Sequence, residues 1–157
     1  MREVSGMVLI VLAACAGRCG SGGSSAATSQ TPSPAPRLPS FRSDIVPVLA
    51  LNCSSAEGCH GNKPTPSVHL DLGASSAYQQ LVNQPSEARR SALLVKPGDP
   101  QASFLIDKLT GRLGAVQEGK RMPIDVDTGA PVVPSPLSPD FIEKVLEPWI
   151  AVGAPNN

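Results

Sequence analysis

Aromatic side chains are scarce in this sequence, at 3% of its 157 residues. A chain with so few large apolar side chains has little material for a core, so we expect a thin one. Net charge is lacking as well, since 13 Lys and Arg residues balance 13 Asp and Glu residues. The sequence therefore gives no electrostatic argument for binding nucleic acid or an anionic membrane surface.

Several chemical and structural patterns are also missing. There is no convincing apolar alternation that would predict strands, and no internal repeat. No paired carboxylates, Ser/His/Asp set or phosphate-binding loop stands out, so a hydrolase has no support. The 17 prolines leave little room for long helices or central strands. These absences favour an all-α domain of several short helices joined by long loops.

The N-terminal apolar run, Met7–Ala14, is far shorter than the roughly 20 residues of a membrane-spanning helix. It is typical of the apolar part of a signal peptide. It ends in Leu12-Ala13-Ala14-Cys15, which resembles the lipobox of bacterial lipoproteins. This predicts a signal peptide at 1–14, a lipid on Cys15 and an exported protein anchored in the cell envelope by that lipid only, at the outer membrane or facing the periplasm. A plain secretory signal with an incidental cysteine is the alternative.

Residues 15–40 form the next region, which is rich in Gly and Ser and then in Pro. Such a composition cannot bury enough apolar surface to fold, so we expect a disordered linker. Cys19 lies in it without an obvious partner. The folded domain is predicted to occupy 41–157.

Four helical segments are predicted in this domain. The first begins near Phe41, after a cap at Ser40 or Ser43, and runs into Cys53. A short helix is expected at 75–83, and another from the Asp99-Pro100 start to a stop at Gly111. The last begins at Ser138 and Pro139, and Pro148 inside it should produce a kink.

A pair of cysteines followed directly by a histidine carries the chemistry of the sequence. The segment runs Cys53-Ser54-Ser55-Ala56-Glu57-Gly58-Cys59-His60-Gly61. Two thiols with a histidine directly after the second form the skeleton of covalent haem c attachment. The thiols would add to the haem vinyl groups, and His60 would bind the iron as its proximal ligand.

With this motif in its place, the sequence resembles class I c-type cytochromes, and more narrowly the planctomycete-type cytochrome c domain of exported bacterial proteins. The resemblance covers about 41–157. It depends on DIVPVL before the motif and, after it, on HLDLGASSAYQQLV, LVKPGDPQASFLIDKLTG, GKRMP and LSPDFIEKVLEPWIAVGAP, in that order. It implies a cytochrome c-like fold, bound haem c and transfer of single electrons to and from redox partner proteins that the sequence does not name. An electron carrier is favoured over an enzyme.

The resemblance also implies a distal iron ligand. In class I cytochromes a methionine from a loop before the last helix binds the iron, and Met122 of Gly119-Lys120-Arg121-Met122-Pro123 holds that place. Ligation by histidine and methionine raises the reduction potential, which suits an electron carrier. The insertion Ile124–Pro136 exceeds the usual link in the family, and an ordinary loop methionine is the alternative.

The spacing of the cysteines departs from the family, which usually has two residues between them where this sequence has five. The extra residues must bulge, because in a helical conformation they would carry Cys53 about 4.5 Å away from the haem edge. One alternative is a disulfide between Cys53 and Cys59 in a haem-free binding or structural domain. Another is zinc held by Cys53, Cys59, His60 and His69, although their spacing is unlike common zinc sites. His69 is otherwise interpreted as a surface or packing residue, with a role as rival sixth ligand left open.

Overall fold

The computed structural model describes residues 37–54, 59–61 and 69–157. The predicted signal peptide, the lipidated Cys15, Cys19 and most of the linker lie outside the described residues. The bulge between the cysteines also lies outside, since it falls on 55–58. From Arg37 onward the described chain belongs to one compact unit.

Helices make up about 40% of the described residues, and none of those residues forms a strand. Helix α1 begins with a π-helical turn, Phe41–Ile45, and continues as the α-helix Val46–Cys53. Helix α2 spans Ala77–Leu81, and helix α3 spans Phe104–Thr110. Helix α4 joins Pro139–Phe141, the π-helical turn Ile142–Leu146 and Glu147–Ala151. Two 3₁₀ turns, Pro100–Ala102 and Val116–Glu118, flank α3. The domain is thus a small, mostly helical one with long connections.

The predicted helix boundaries are largely confirmed by the capping residues. The side chain of Ser40 accepts a hydrogen bond from the Ser43 amide, and that of Ser138 accepts one from the Phe141 amide. Gly111 ends α3 with a φ of 85°, a left-handed conformation that glycine adopts without strain. The helix predicted from Pro100 is interrupted, because Ser103 is extended and separates the 3₁₀ turn from α3.

Pro47 and Pro148 lie inside continuous helices, and each follows a π-helical turn by two residues. In a regular α-helix a proline ring clashes with the carbonyl four residues earlier and leaves it without an amide donor. A π turn widens the ladder at that point, so the helix continues past the proline. The expected disruption at Pro148 therefore takes the form of a π turn.

The core is built from the faces that the sequence pattern predicts. In α1, Phe41, Ile45 and Leu49 are buried, and the buried residues of α3 include Leu105, Ile106 and Leu109. Three of the five aromatic residues form one cluster. The ring of Phe41 stacks on Trp149 at a centroid distance of 5.2 Å and meets Tyr78 edge-on, also at 5.2 Å. This aromatic cluster joins the first and last helices. In the part of the chain that is described, no helix is long and apolar enough to span a membrane.

Candidate functional site

A cleft of about 480 Å³ lies between the end of α1, the segment 69–72, the segment 84–88 and helix α3. This volume falls in the usual range for a bound small molecule or cofactor. Its apolar wall includes Leu49, Leu72, Leu94, Phe104, Leu105 and Leu109. Cys53, His60 and Met122 line the same cleft. Three of the residues singled out from the sequence are therefore brought together around one apolar space.

His60 is held at the cleft by both its backbone and its ring. Its amide donates to the Cys53 carbonyl at 2.8 Å, and its own carbonyl accepts from the Leu72 amide at 2.7 Å. The ring Nδ1 lies 3.1 Å from the Leu70 carbonyl oxygen, which can only accept a hydrogen bond. The neutral imidazole therefore carries its proton on Nδ1 and presents the lone pair on Nε2.

The surroundings of His60 favour that neutral form. Burial lowers the pKa of His60, the hydrogen bond to Leu70 opposes this shift, and the nearby Lys108 ammonium adds to it. A neutral imidazole whose Nδ1–H is bound to a carbonyl is the usual arrangement of a metal-binding histidine. His60 is thus a neutral imidazole with an unprotonated Nε2.

Cys53 and Cys59 carry free thiols in the structure. Burial and the proximity of Cys59 raise the pKa of Cys53 to about 11, so the Cys53 thiol stays protonated at neutral pH. The hydrogen bond from the His60 amide to the Cys53 carbonyl joins the two ends of the segment between these residues, although that segment is longer than in the family. The wide spacing of the cysteines therefore still leaves His60 next to the end of α1.

Gly61, directly after the histidine, permits this closure. A Cβ at position 61 would lie 2.8 Å from the backbone oxygen of Ser54, which is closer than real Cβ contacts. At position 61 the chain thus passes so close to Ser54, directly after α1, that a side chain does not fit there. Sequence inspection assigned no role to this glycine, although its place beside His60 was a signal.

Met122 reaches the cleft from a different part of the chain. Its amide donates to the carbonyl of Lys108 on α3 at 2.9 Å, and its side chain is partly buried against the core. The insertion after it folds onto the same segment. Lys120 Nζ donates to the Gly129 carbonyl at 2.7 Å, and Arg121 donates to the Val132 carbonyl at 2.7 Å. These contacts account for the two basic residues beside Met122.

Lys108 lines the cleft and was not anticipated from the sequence. Its Nζ donates to the backbone oxygen of Glu118 at 2.5 Å, and burial lowers its pKa. Glu118 is itself buried and binds the guanidinium of Arg89 through both carboxylate oxygens, at 2.8 and 2.9 Å. No local pattern in the chain signals this network, because its members are far apart in the sequence.

His69, the remaining candidate ligand, is exposed and also lines the cleft. Among the described residues, which include all four of the zinc alternative, no three His, Cys, Asp or Glu side chains are grouped to hold a metal ion. Trp149 and Tyr78 belong to the aromatic cluster and do not line the cleft.

The chain was also compared with known proteins. No protein-family model, no curated protein and no solved structure matches it.

Proposed function

We propose that the domain is a membrane-tethered, c-type cytochrome-like protein that binds haem in this cleft and transfers single electrons. The observation that carries the proposal is His60, a neutral imidazole oriented by the Leu70 carbonyl at 3.1 Å and placed in an apolar cleft with Cys53 and Met122. The donor set consists of one imidazole, one thioether and two thiols. An imidazole and a thioether are the axial ligands of a c-type haem, and two thiols match its covalent attachment to the porphyrin.

Cys53, His60 and Met122 line the cleft, and Cys59 lies outside its lining but directly before His60 in the chain. Cys53 and Cys59 would anchor haem as thioethers, His60 would bind the iron through Nε2, and Met122 would supply the second axial ligand. When bound, haem supplies an iron that changes its charge by one electron. The apolar wall excludes water, and the hydrogen bond from His60 to Leu70 fixes the ring and increases its basicity. The neighbouring Lys108 ammonium disfavours additional positive charge there.

The proposal extends to the location of the protein. We infer that the leader 1–14 exports the chain and that lipid on Cys15 tethers the domain to the cell envelope. A Cys15→Ala chain is then expected to leave the membrane fraction or to stay unprocessed. Full solubility of the exported wild type would contradict the anchor and leave the proposed haem site untouched.

A second candidate function is a haem-free binding or structural domain stapled by a disulfide between Cys53 and Cys59. The closed loop favours it, because the two cysteines lie close enough for Cys59 to raise the pKa of Cys53. In this case the apolar cleft would accept another ligand or a partner.

The two candidates are separated by a haem stain of the denatured protein, purified from a host that attaches haem c. Electron transfer requires a stained band whose mass exceeds that of the apoprotein by one haem. A colourless band that is two hydrogen atoms lighter than the dithiol would instead establish the disulfide. The variant His60→Ala serves as the matched control, because it keeps both thiols while it removes the axial ligand.

A further inference from the structure

We propose that Arg89 and Glu118 position Met122 at the cleft, so that the distal ligand depends on an ion pair at some distance from the iron. The inference rests on the proposed function, and it concerns residues that make no direct contact with Met122. We call the group Arg89, Asp107 and Glu118 the Arg89 clamp.

The segment that carries Met122 leaves α3 at Gly111 and returns to it at Met122. Only one backbone bond marks the return, from the Met122 amide to the Lys108 carbonyl at 2.9 Å. The partly buried Met122 side chain and the Arg121 side chain beside Gly111 add to that bond at the same end of the segment. Contacts in the middle of the segment strengthen its hold on α3 further.

Glu118 supplies those contacts from the middle of the segment. Its carboxylate accepts from the Gly114 amide at 2.9 Å, and its backbone oxygen accepts from Lys108 Nζ at 2.5 Å. Glu118 is only 6% exposed, and it is the one charged residue that is buried in the described part of the chain. A buried carboxylate is costly unless it is paired, and the Arg89 guanidinium pairs this one through both oxygens.

Arg89 pairs that carboxylate and links it to α3. Its guanidinium binds both oxygens of Glu118 and also contacts Asp107 on α3. It lies 4.7 Å from the ring centroid of Phe104, which is part of the cleft wall. One side chain thus holds the Met122 segment, the helix and the wall in a single arrangement. Bidentate pairing by a planar guanidinium gives the geometric specificity that such a role requires.

The test uses the full chain with haem attached and the variant Arg89→Gln. We expect a normal haem content, a weakened sulfur-to-iron band in the far-red spectrum of the ferric protein, and a lower reduction potential. Met122→Ala should change the band and the potential in the same direction. The control Arg90→Gln removes an exposed neighbouring charge that makes no ion pair in the described structure, and it should leave both unchanged. An unaltered band and potential in Arg89→Gln would overturn the proposal.

A second measurement keeps the proposal testable without haem. In the haem-free chain, Arg89→Gln and Glu118→Gln should each make the Met122 amide exchange its hydrogen about tenfold faster. The Val95 amide, bonded to the Leu81 carbonyl at 3.0 Å in the core, reports global unfolding, so its exchange should accelerate less than that of Met122. If Met122 exchange is unchanged, or rises only together with that of Val95, the clamp has no positioning role. A wild type that binds no haem would refute the proposed function while this measurement still decides on the clamp.

Discussion

His60 shows how much of a functional side chain is determined by its backbone neighbours. Its ring is oriented by a carbonyl, its charge is suppressed by burial, and its main chain is held on both sides, by Cys53 and Leu72. Among the described residues, no carboxylate hydrogen-bonds the ring. The same backbone bonds also explain the glycine beside it, since Gly61 lets the chain approach Ser54.

Replacement of Gly61 by alanine is therefore expected to destabilise the domain. The added Cβ would meet the Ser54 oxygen at 2.8 Å, and a backbone oxygen cannot move aside easily. We expect a loss of about 1–3 kcal/mol in the free energy of unfolding, measured by urea denaturation. Gly114→Ala is the matched control, because a Cβ there meets nothing within 4 Å. Equal stability of the two variants would show that the close approach is not present in solution.

Glu118 gives the domain a specific dependence on acid. Hydrogen bonds from Arg89 and the Gly114 amide, with burial opposing them, hold its pKa at about 2, below the ordinary value of 4.5. A carboxyl group with a depressed pKa stabilises the fold fully above its unfolded pKa, and that contribution is lost as the pH falls towards the folded one. The stability of the wild type should thus decrease between about pH 4.5 and pH 2.

The contribution of Glu118 can be isolated by comparison with Glu118→Gln in urea denaturation at several pH values. Arg89, Asp107, Lys108 and Arg112 surround the network and remain in both proteins. The variant should be less stable than the wild type at pH 6 and should approach it near pH 2. Parallel curves across this range would refute the role of Glu118.

Among the helices, α1 and α4 share an unusual design in which a π turn precedes an internal proline. Sequence patterns identified both helices and most of their caps, because apolar periodicity and capping residues are local signals. The π turns were not predicted, since they arise from the fit of a proline to an already packed helix. The break at Ser103, between the 3₁₀ turn and α3, was also missed, because it depends on contacts with a distant segment. There the amides of Phe104 and Leu105 bond to the carbonyls of Leu93 and Leu94, residues that a local pattern cannot connect.

The cap of α4 offers a direct test of the helix start. Ser138 accepts a hydrogen bond from the Phe141 amide at 3.1 Å, and Ser138→Ala removes that acceptor. We expect the free energy of unfolding to fall by about 1 kcal/mol. Ser138→Asp preserves an acceptor at the same position and should retain most of the stability. A Ser138→Ala chain as stable as the wild type would show that the cap contributes nothing.

At the scale of the whole molecule, the core and the candidate cleft share Leu49, Leu72, Leu105 and Leu109. The sequence identified His60, Cys53 and Met122 as candidates, and the structure places all three at one cleft. It could not identify Leu70, Lys108 or the Arg89 clamp, because their roles depend on contacts between distant segments. The aromatic cluster of Phe41, Tyr78 and Trp149 packs in the core and lies outside the cleft lining.

Trp149 is accordingly expected to dominate the stability of the haem-free chain. It is fully buried, stacks on Phe41 and donates its indole N–H to the Pro155 carbonyl at 2.9 Å. Trp149→Ala should lower the free energy of unfolding by about 3–5 kcal/mol in urea denaturation. Trp149→Phe keeps an aromatic ring and should cost less. Comparable losses from the two variants would argue against the stacking arrangement.

The hydrogen bonds of Asn157 bring the two ends of the described domain together. Its side-chain oxygen accepts from the Phe41 amide at 2.9 Å, and its backbone oxygen accepts from the Arg42 amide at 2.9 Å and from the Ser40 hydroxyl at 2.8 Å. The first and last described segments thus meet at the start of α1. Chains whose ends lie together tolerate circular permutation. A short glycine-rich connection from 157 to 37, with new ends opened at the exposed Asp127, should leave the cleft and its histidine intact.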